Sequence, residues 1–350
     1  MAGCSVTAAF IALVGPMGRG PDDVDSPRAV AHIDGTGRKP IKVNARLRPP
    51  VDAGQPNDPL FAESWSLAKV HAPGAWRVTI GAADTIVAVL DTGIDRNHID
   101  LQGAFVDGWD AVNEDADPSD DHGHGTLVAG VIAARSNNGV GGVGACPRCS
   151  LMPVKVIGAN GAGSVVDIAE GIVWAADHGA RVINMSFAFN GPDDGVAAAV
   201  VHAQGKGVLV VAAAGNAGTS DVTFPAAYPG VVSVSATDPA DTRYAWSSFG
   251  GWVRLAAPGC SIATGAGGTY ADFCGTSSAT ALVSGLAGLM RSYAPTVTSD
   301  ELGQALSANA LRVGDFVASG RVDVEAAVGS LRADRPAPAD ARPFSPARAD

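Results

Sequence analysis

The chain has 350 residues, of which 47% are hydrophobic and 17% are charged, so it has enough apolar residues for a buried core. Its net charge is −11 and it contains no basic run, which argues against a nucleic-acid partner. No stretch approaches the roughly 20 apolar residues of a transmembrane helix, so we expect no integral membrane span.

Composition divides the chain into four regions. We interpret residues 1–20 as a secretory signal segment, because residues 6–14 are apolar, although no Lys or Arg precedes them. Residues 21–57 are rich in Pro, Gly, Asp and Arg and are interpreted as a linker or short pro-region. We predict one folded domain over residues 58–331 and a disordered tail over residues 332–350, which is biased towards Pro, Ala and charged residues.

Short apolar runs rich in Val and Ile recur through the central region and predict strands. Because the runs are nearly continuously apolar, we expect strands that are covered on both faces, as in a parallel sheet. The five predicted strands are residues 85–90, 151–157, 181–185, 208–213 and 231–235.

Helical patterns lie between these strands. The predicted helices are residues 125–134, 165–178 and 195–204, and we expect Gly179 and Gly205 to end the last two in left-handed caps. Such alternation of strands and helices predicts a doubly wound α/β sandwich. In these folds ligands bind beyond the carboxyl ends of the strands.

Four polar residues fall where these strands end or where helices begin. Asp91 ends a strand in VAVLDTGID, and His124 begins a helix in DDHGHGTLVAG. Asn216 follows a strand in VVAAAGNAG, and Ser277 begins an apolar helix that runs to about Tyr293. Each alone has an ordinary structural explanation, as a turn former, a partly buried histidine or an N-cap. Together, in the order Asp, His, Asn, Ser, they predict nucleophilic catalysis by a serine.

These blocks resemble those of the subtilisin-like serine peptidases, the subtilase family. The resemblance covers about residues 57–293 and includes VAVLDTGID, HGHGTLVAG and GTSSATALVSG, joined by MPVKVIGANGAGS, RVINMSF and LAAPG. It implies an α/β fold, a subtilisin-like three-layer sandwich around a mostly parallel sheet. It also implies a secreted serine endopeptidase that acts on polypeptide substrates, and we expect it to be a monomer.

The resemblance also implies roles for the four polar residues. Asp91 would orient His124, His124 would take the proton of Ser277, and Ser277 would attack the peptide carbonyl to form an acyl-enzyme. Asn216 and the backbone N–H of Ser277 would form the oxyanion hole. No cofactor is expected for this chemistry.

The substrate groove is inferred in the same way, from two segments that resemble those pairing with an extended peptide and from one wall of a specificity pocket. Small side chains in that wall predict a preference for large apolar residues before the cut, although Phe187 adds bulk beside the groove. The predicted substrate-binding residues are Gly158, Ser186, Phe187, Ala188, Ala213, Ala214 and Gly215.

The resemblance also leaves open a structural calcium ion. Asp58 and Asp100 match acidic positions that help to bind calcium in some relatives, but the loop of residues 135–140 is shorter than the calcium-binding version. We therefore assign no metal ligand.

Two other classes of function have weaker support. Gly139, Gly141 and Gly144 spell GxGxxG, but a dinucleotide site needs a strand before this motif and a helix after it. A zinc site built on His122, His124 and the two cysteines at 146 and 149 lacks a second Cys-x-x-Cys.

The cysteines and the catalytic residues each leave an alternative open. Cys146–Cys149 and Cys260–Cys274 are predicted disulfides, which suit an oxidising compartment, and free buried thiols are the alternative. A catalytically silent binding module on the same fold is the alternative to an active enzyme.

Overall fold

The computed structural model describes residues 30–32, 36–41 and 55–331. The predicted signal segment and the predicted tail lie outside these residues. Within the predicted linker or pro-region, two stretches form strands, β1 (Val30–His32) and β2 (Thr36–Ile41).

The remaining elements alternate along the chain. The further strands are β3 (Ile86–Asp91), β4 (Trp109–Asp110), β5 (Ser150–Lys155), β6 (Ala162–Ser164), β7 (Val182–Met185), β8 (Phe189–Asn190), β9 (Leu209–Ala213), β10 (Thr223–Phe224), β11 (Val232–Thr237), β12 (Leu255–Pro258), β13 (Cys260–Gly265), β14 (Thr269–Cys274) and β15 (Gly320–Arg321). The α-helices are α1 (Trp65–Lys69), α2 (Ala72–Trp76), α3 (His124–Ala133), α4 (Val165–Asp177), α5 (Asp194–Gly205), α6 (Thr276–Tyr293), α7 (Ser299–Ala308) and α8 (Val324–Ser330).

The central sheet has eight strands in the order β15-β12-β11-β9-β7-β3-β5-β4. All of its neighbouring pairs are parallel, as the continuously apolar runs predicted. The α/β class and the mostly parallel sheet are therefore confirmed.

Alternate residues of the strands face two separate apolar layers. Val87 and Val89 of β3 pack in a cluster that includes residues of α3 and α6. Ala88 and Leu90 face the opposite side, in a cluster that includes residues of α4 and α5. This alternation follows from the two-residue period of a strand, and it produces the three layers of the sandwich.

The observed strand and helix ends lie within two residues of the predicted ones, with one correction at a cap. Gly179 has φ +91°, as expected for a left-handed residue after α4. Gly205 was predicted to do the same, but α5 continues through it and the left-handed residue is Gly207, with φ +77°. The helix thus ends later than the glycine pattern suggested.

Three small antiparallel sheets lie outside the central sheet and were not predicted. They pair β1 with β6, β10 with β8, and the strands β13, β14 and β2 in that order. Strands β1, β6, β8 and β10 are only two or three residues long, and β2 lies far from β14 in the sequence, so the local pattern carries little signal for these pairings. The hairpin of β13 and β14 joins neighbouring segments and was missed.

Helix α6 runs through the core, and every residue from Thr276 to Ser292 is buried. Among the described residues, no helix has both the length and the hydropathy required to cross a membrane. The start of α6 is thus a rigid position from which a side chain can be presented at the edge of the sheet.

Candidate active site

Asp91 and His124 form a buried hydrogen-bonded pair. Asp91 is the last residue of β3 and His124 the first of α3, and both are at most 1% exposed. His124 Nδ1 donates to Asp91 Oδ1 at 2.7 Å, and the same oxygen accepts from the Thr92 N–H at 2.8 Å. The carboxylate therefore fixes the orientation of the imidazole ring.

Gly125 allows the close approach of α3 to the strand end. A Cβ placed on Gly125 would lie 2.0 Å from the Gly93 carbonyl oxygen and 3.2 Å from Asp91 Cβ. Any side chain at this position would push His124 away from Asp91, which explains the glycine directly after the histidine.

Asp120 ties the loop that follows β3 to the start of α3. One of its oxygens accepts from Thr92 Oγ1 at 2.8 Å and from the backbone N–H groups of His122 and Gly123 at 3.0 and 2.7 Å. The other accepts from the N–H and hydroxyl of Thr126. Thr92 Oγ1 in turn accepts from the Gly125 N–H at 2.9 Å. These bonds hold the two elements that carry Asp91 and His124.

The hydroxyl of Ser277 is hydrogen-bonded to a carbonyl oxygen and not to His124. Ser277 is the second residue of α6 and only 4% exposed. Its Oγ donates to the Ser186 carbonyl oxygen at 2.9 Å, and His124 Nε2 has no hydrogen-bond partner among the described residues. In free enzymes such catalytic bonds are often absent and form only with substrate, so this geometry is compatible with a nucleophile.

A chain of buried hydrogen bonds leads to the Ser277 backbone. Ser284 Oγ donates to Asn184 Oδ1, and Asn184 Nδ2 donates to Ser186 Oγ, each at 2.9 Å. Ser186 Oγ then donates to the Ser277 carbonyl oxygen at 3.1 Å. The four residues join the end of β7 to two turns of α6.

Asn216 follows β9 and is anchored on the start of α6. Its Oδ1 accepts from the N–H and the hydroxyl of Thr276 at 2.9 and 3.0 Å. Its Nδ2 lies 3.6 Å from the position that a Cβ would take on Gly275, whose φ of +149° suits glycine. The amide therefore lies beside the N-terminus of α6, where unpaired backbone N–H groups and the helix dipole favour negative charge.

The predicted substrate-binding residues lie in three segments, two of which contact the start of α6. Ser186 contacts Ser277 directly, and Gly215 donates its N–H to Thr276 Oγ1 at 3.2 Å. Gly158 donates its N–H to the Ala162 carbonyl at the start of β6. Phe187 is buried in the apolar layer of α4 and α5, whereas Ala188 and Gly215 are partly exposed. Ala213 and Ala214 are buried beside them.

The four cysteines form the two predicted disulfides, Cys146–Cys149 and Cys260–Cys274. The zinc hypothesis is wrong, because the sulfur atoms of Cys146 and Cys149 are bonded to each other and cannot act as thiolate ligands of zinc. The dinucleotide hypothesis also fails, since the GxGxxG segment follows α3 and leads through a loop to β5, with no helix after it.

Asp58 and Asp100, the two acidic residues considered for calcium, each bind the loop of residues 137–142 through their carboxylate oxygens. The Asp58 oxygens accept from the backbone N–H groups of Asn137 and Asn138, at 2.7 and 3.2 Å. The Asp100 oxygens accept from Asn138 Nδ2 and from the Gly142 N–H, at 2.7 and 3.2 Å. Burial raises the pKa of Asp58 to about 6 and that of Asp100 to about 7. Each of these oxygens keeps a second lone pair, and within the described residues no group of three or more His, Cys, Asp or Glu side chains could hold a metal ion.

Three residues with structural roles at this site were not singled out from the sequence: Thr92, Asp120 and Thr126. All three stand in or directly beside the blocks VAVLDTGID and DDHGHGTLVAG, so a signal was present. Their mutual contact depends on how β3 and α3 meet, which local patterns do not describe.

Comparisons with known proteins show the family to which the chain belongs. The model of the subtilase family matches residues 82–335. Thermitase from Thermoactinomyces vulgaris is 40% identical over 276 residues, which cover 78% of this chain and 99% of thermitase. The halolysin-like extracellular serine protease Nep from Natrialba magadii is 38% identical over 285 residues, covering 78% of this chain and 52% of that protein. A solved structure of a protease from Pseudoalteromonas arctica has a TM-score of 0.73 at 30% identity, covering 79% of this chain and 99% of that one.

Proposed function

Because this chain belongs to the subtilase family and is a serine endopeptidase, we propose that Ser277 is its nucleophile, His124 its general base and Asp91 the residue that orients His124. The observation that carries the proposal is the buried bond from His124 Nδ1 to Asp91 Oδ1, at 2.7 Å. It directs the other ring nitrogen, Nε2, away from the carboxylate and leaves it available to accept a proton.

The first step requires a change at Ser277. Its hydroxyl, which donates to the Ser186 carbonyl oxygen in the free protein, has to turn and donate to His124 Nε2 instead, and rotation about χ1 is the motion that redirects a serine hydroxyl. The Ser277 proton then passes to Nε2 while Oγ forms a bond to the substrate carbonyl carbon. The tetrahedral intermediate collapses to an acyl-enzyme, and the leaving amine takes the proton from His124.

Deacylation repeats the sequence with water. His124 Nε2 removes a proton from a water molecule, whose oxygen attacks the acyl carbon. Collapse of the second intermediate releases the carboxylic acid and returns the proton to Ser277 Oγ. No cofactor takes part in these steps.

The developing oxyanion is proposed to bind between Asn216 Nδ2 and the Ser277 N–H. The Ser277 N–H lies in the first turn of α6, where backbone donors have no acceptor within the helix. The bonds from Thr276 to Asn216 Oδ1 orient the amide and support this assignment. Loss of such a donor costs about 10²–10³ in kcat, a magnitude that was measured on a subtilisin.

We propose that residues 213–215 form one wall of the pocket for the residue before the cut. The small side chains of Ala213, Ala214 and Gly215 favour a large apolar residue there. A peptide library that is cleaved mainly after Lys or Arg would contradict this preference.

We also propose that the protein acts outside the cytoplasm. The two disulfides support this, as does the similarity to an extracellular protease from Natrialba magadii. Recovery of the protein from culture medium with residues 1–20 removed is the expected result, and retention of an intact N-terminus in the cytosol would contradict it.

Labelling with a fluorophosphonate probe tests the catalytic assignment. Wild type should be labelled stoichiometrically at Ser277, and Ser277→Ala should not be labelled. Ser278→Ala is the matched control, because it removes the adjacent hydroxyl, and it should still be labelled. If folded wild type failed to react, the protein would be either an unprocessed zymogen or the catalytically silent binding module.

A further inference from the structure

Lys155 is a buried cation beside the proposed catalytic pair. It is the last residue of β5, its side chain is only 2% exposed, and it lies opposite Asp91 in the register of β5 with β3. Its Nζ donates to the carbonyl oxygens of Thr92 and Ile157 at 2.9 and 3.1 Å, and to Asp121 Oδ1 at 2.6 Å. These three acceptors match the three N–H donors of an ammonium group.

The three acceptors belong to three different segments of the site. Thr92 directly follows Asp91, and its N–H donates to Asp91 Oδ1 at 2.8 Å. Ile157 leads into the predicted substrate-binding segment before β6, and its N–H donates to the Asp91 carbonyl oxygen at 3.1 Å. Asp121 lies in the loop that leads to His124. One ammonium group therefore connects the strand end, the groove segment and the loop before α3.

The bond to Thr92 bears directly on the position of His124. The N–H and the hydroxyl of Thr92 both donate to carboxylates, and Lys155 holds its carbonyl oxygen. The next residue, Gly93, has φ +98°, and its carbonyl oxygen would lie 2.0 Å from a Cβ on Gly125, directly after the histidine. Rotation of the peptide that joins Thr92 to Gly93 would therefore displace the start of α3.

The charges around the pair are mostly negative. Phe273, which packs on His124 from β14, is uncharged. The atoms that link Lys155 Nζ through Thr92 to Asp91 Oδ1 keep these two end atoms within about 9 Å. Carboxylates favour a protonated imidazole, and an ammonium group at this range opposes it. The titratable side chains on the strands and loops packed around the pair and Lys155 are Asp91, Asp95, Asp110, Asp120, Asp121 and His122.

A contribution to stability alone explains this lysine poorly. Burying an ammonium group costs free energy that an apolar side chain of the same length does not lose. The ion pair recovers little of that cost, because the Asp121 side chain is 50% exposed and is screened by solvent. The position of the ammonium group beside Asp91 and Thr92 gives it a role in the site instead.

We propose that Lys155 is a positioning residue for the pair of Asp91 and His124. Its ammonium group fixes the Thr92 carbonyl against the start of α3, and its charge offsets the surrounding carboxylates, so that His124 stays neutral and able to accept a proton. The inference rests on the proposed function, because it takes His124 as the general base.

The test measures kcat and KM against pH for Lys155→Met, Asp121→Asn and the double variant, with a peptide substrate that carries no titratable group. The acid limb of kcat/KM reports the base of the free enzyme. Lys155→Met removes the charge and keeps most of the side-chain length. It should move the midpoint of that limb up by about 0.3–1 pH unit. It should also lower kcat by about 10–100-fold with little change in KM, because α3 is displaced.

The second variant acts in the opposite direction. Asp121→Asn removes a negative charge, so the midpoint should move down, by up to about 0.5 pH unit because this carboxylate is half-exposed. The double variant removes one charge of each sign, and its midpoint should return to within about 0.2 pH unit of wild type. Lys206→Met is the matched control, since Lys206 follows α5 on the other side of the sheet and pairs with Asp177. It should leave the midpoint unchanged.

A purely structural role of Lys155 would lower kcat without moving the midpoint, so an unmoved midpoint in Lys155→Met would overturn the inference. A shift of both single variants in the same direction would do so as well. If Lys155→Met does not fold, Asp121→Asn decides alone, and a midpoint equal to that of wild type refutes the proposal. When wild-type Ser277 reacts with the fluorophosphonate, these failures count against Lys155 only. If Ser277 does not react, the proposed function itself has failed.

Discussion

We predict that replacing Asp120 by Asn lowers both the free energy of unfolding and kcat. In Asp120→Asn one oxygen remains for the donors of Thr92, His122 and Gly123, but the new NH₂ group faces the Thr126 N–H. A buried N–H left without an acceptor costs about 1–3 kcal/mol. Loss of the negative charge weakens the remaining bonds by about 1 kcal/mol more.

The expected loss of stability is therefore about 2–4 kcal/mol. For a domain of this size, each kcal/mol lowers the melting temperature by about 2–4 °C, so a decrease of about 4–16 °C is expected by calorimetry. Catalysis should decrease as well, because the start of α3 positions His124 against Asp91. A displacement near 1 Å costs about 10²-fold, so kcat should fall by about 10–100-fold while KM changes little.

Asp117→Asn is the matched control for this variant. Asp117 is exposed in the same loop, and its carboxylate accepts from Ser119 Oγ. Its replacement should change stability by less than about 0.5 kcal/mol. The reasoning would be refuted if Asp120→Asn melted within about 2 °C of wild type and kept its kcat within about twofold.

Three further predictions concern a carboxyl group, a hydroxyl group and a disulfide. Burial raises the pKa of Asp100 to about 7, so the folded state binds its proton more tightly than the unfolded state, and stability should fall as pH rises from about 4 to 7. Asp100→Asn should flatten that slope in a series of thermal melts, and an unchanged slope would contradict the assignment. Ser284→Ala should cost about 1–3 kcal/mol in denaturant unfolding, because it removes the donor to Asn184 Oδ1, and a neutral result would mean that this oxygen finds another donor. Replacing Cys260 and Cys274 together by Ser should lower the free energy of unfolding by about 3 kcal/mol, because the disulfide closes a loop with a sequence separation of 14. If the double variant and the wild type unfolded at the same denaturant concentration, this prediction would be wrong.

Much of the fold follows from local pattern. The apolar runs that became β3, β5, β7, β9 and β11 were recognisable because strands buried on both faces are rich in apolar residues on both sides of the chain. The helices between them were recognisable from their length and from the glycines near their ends. The left-handed cap at Gly207 was missed because a glycine two residues earlier, Gly205, offered the same local signal.

The antiparallel strands were beyond such patterns. Pairing of β2 with β14 joins residues more than 200 positions apart in the sequence, and nothing in TGRKPI or TYADFC by itself specifies the partner. Strand pairing over such a separation depends on where the central sheet and its helices place the two segments.

The sequence by itself determined the kinds of chemistry available here. Asp91, His124, Asn216 and Ser277 stand at strand ends and helix starts, so an α/β sheet brings them to one edge. The tertiary structure alone decided the contacts between them. It placed Asp120 between Thr92 and Thr126, and it turned the Ser277 hydroxyl towards Ser186 rather than His124. The physical reason is that a hydrogen bond requires positions within a few tenths of an ångström, which the packing of whole elements sets, whereas sequence spacing specifies only which element carries a residue.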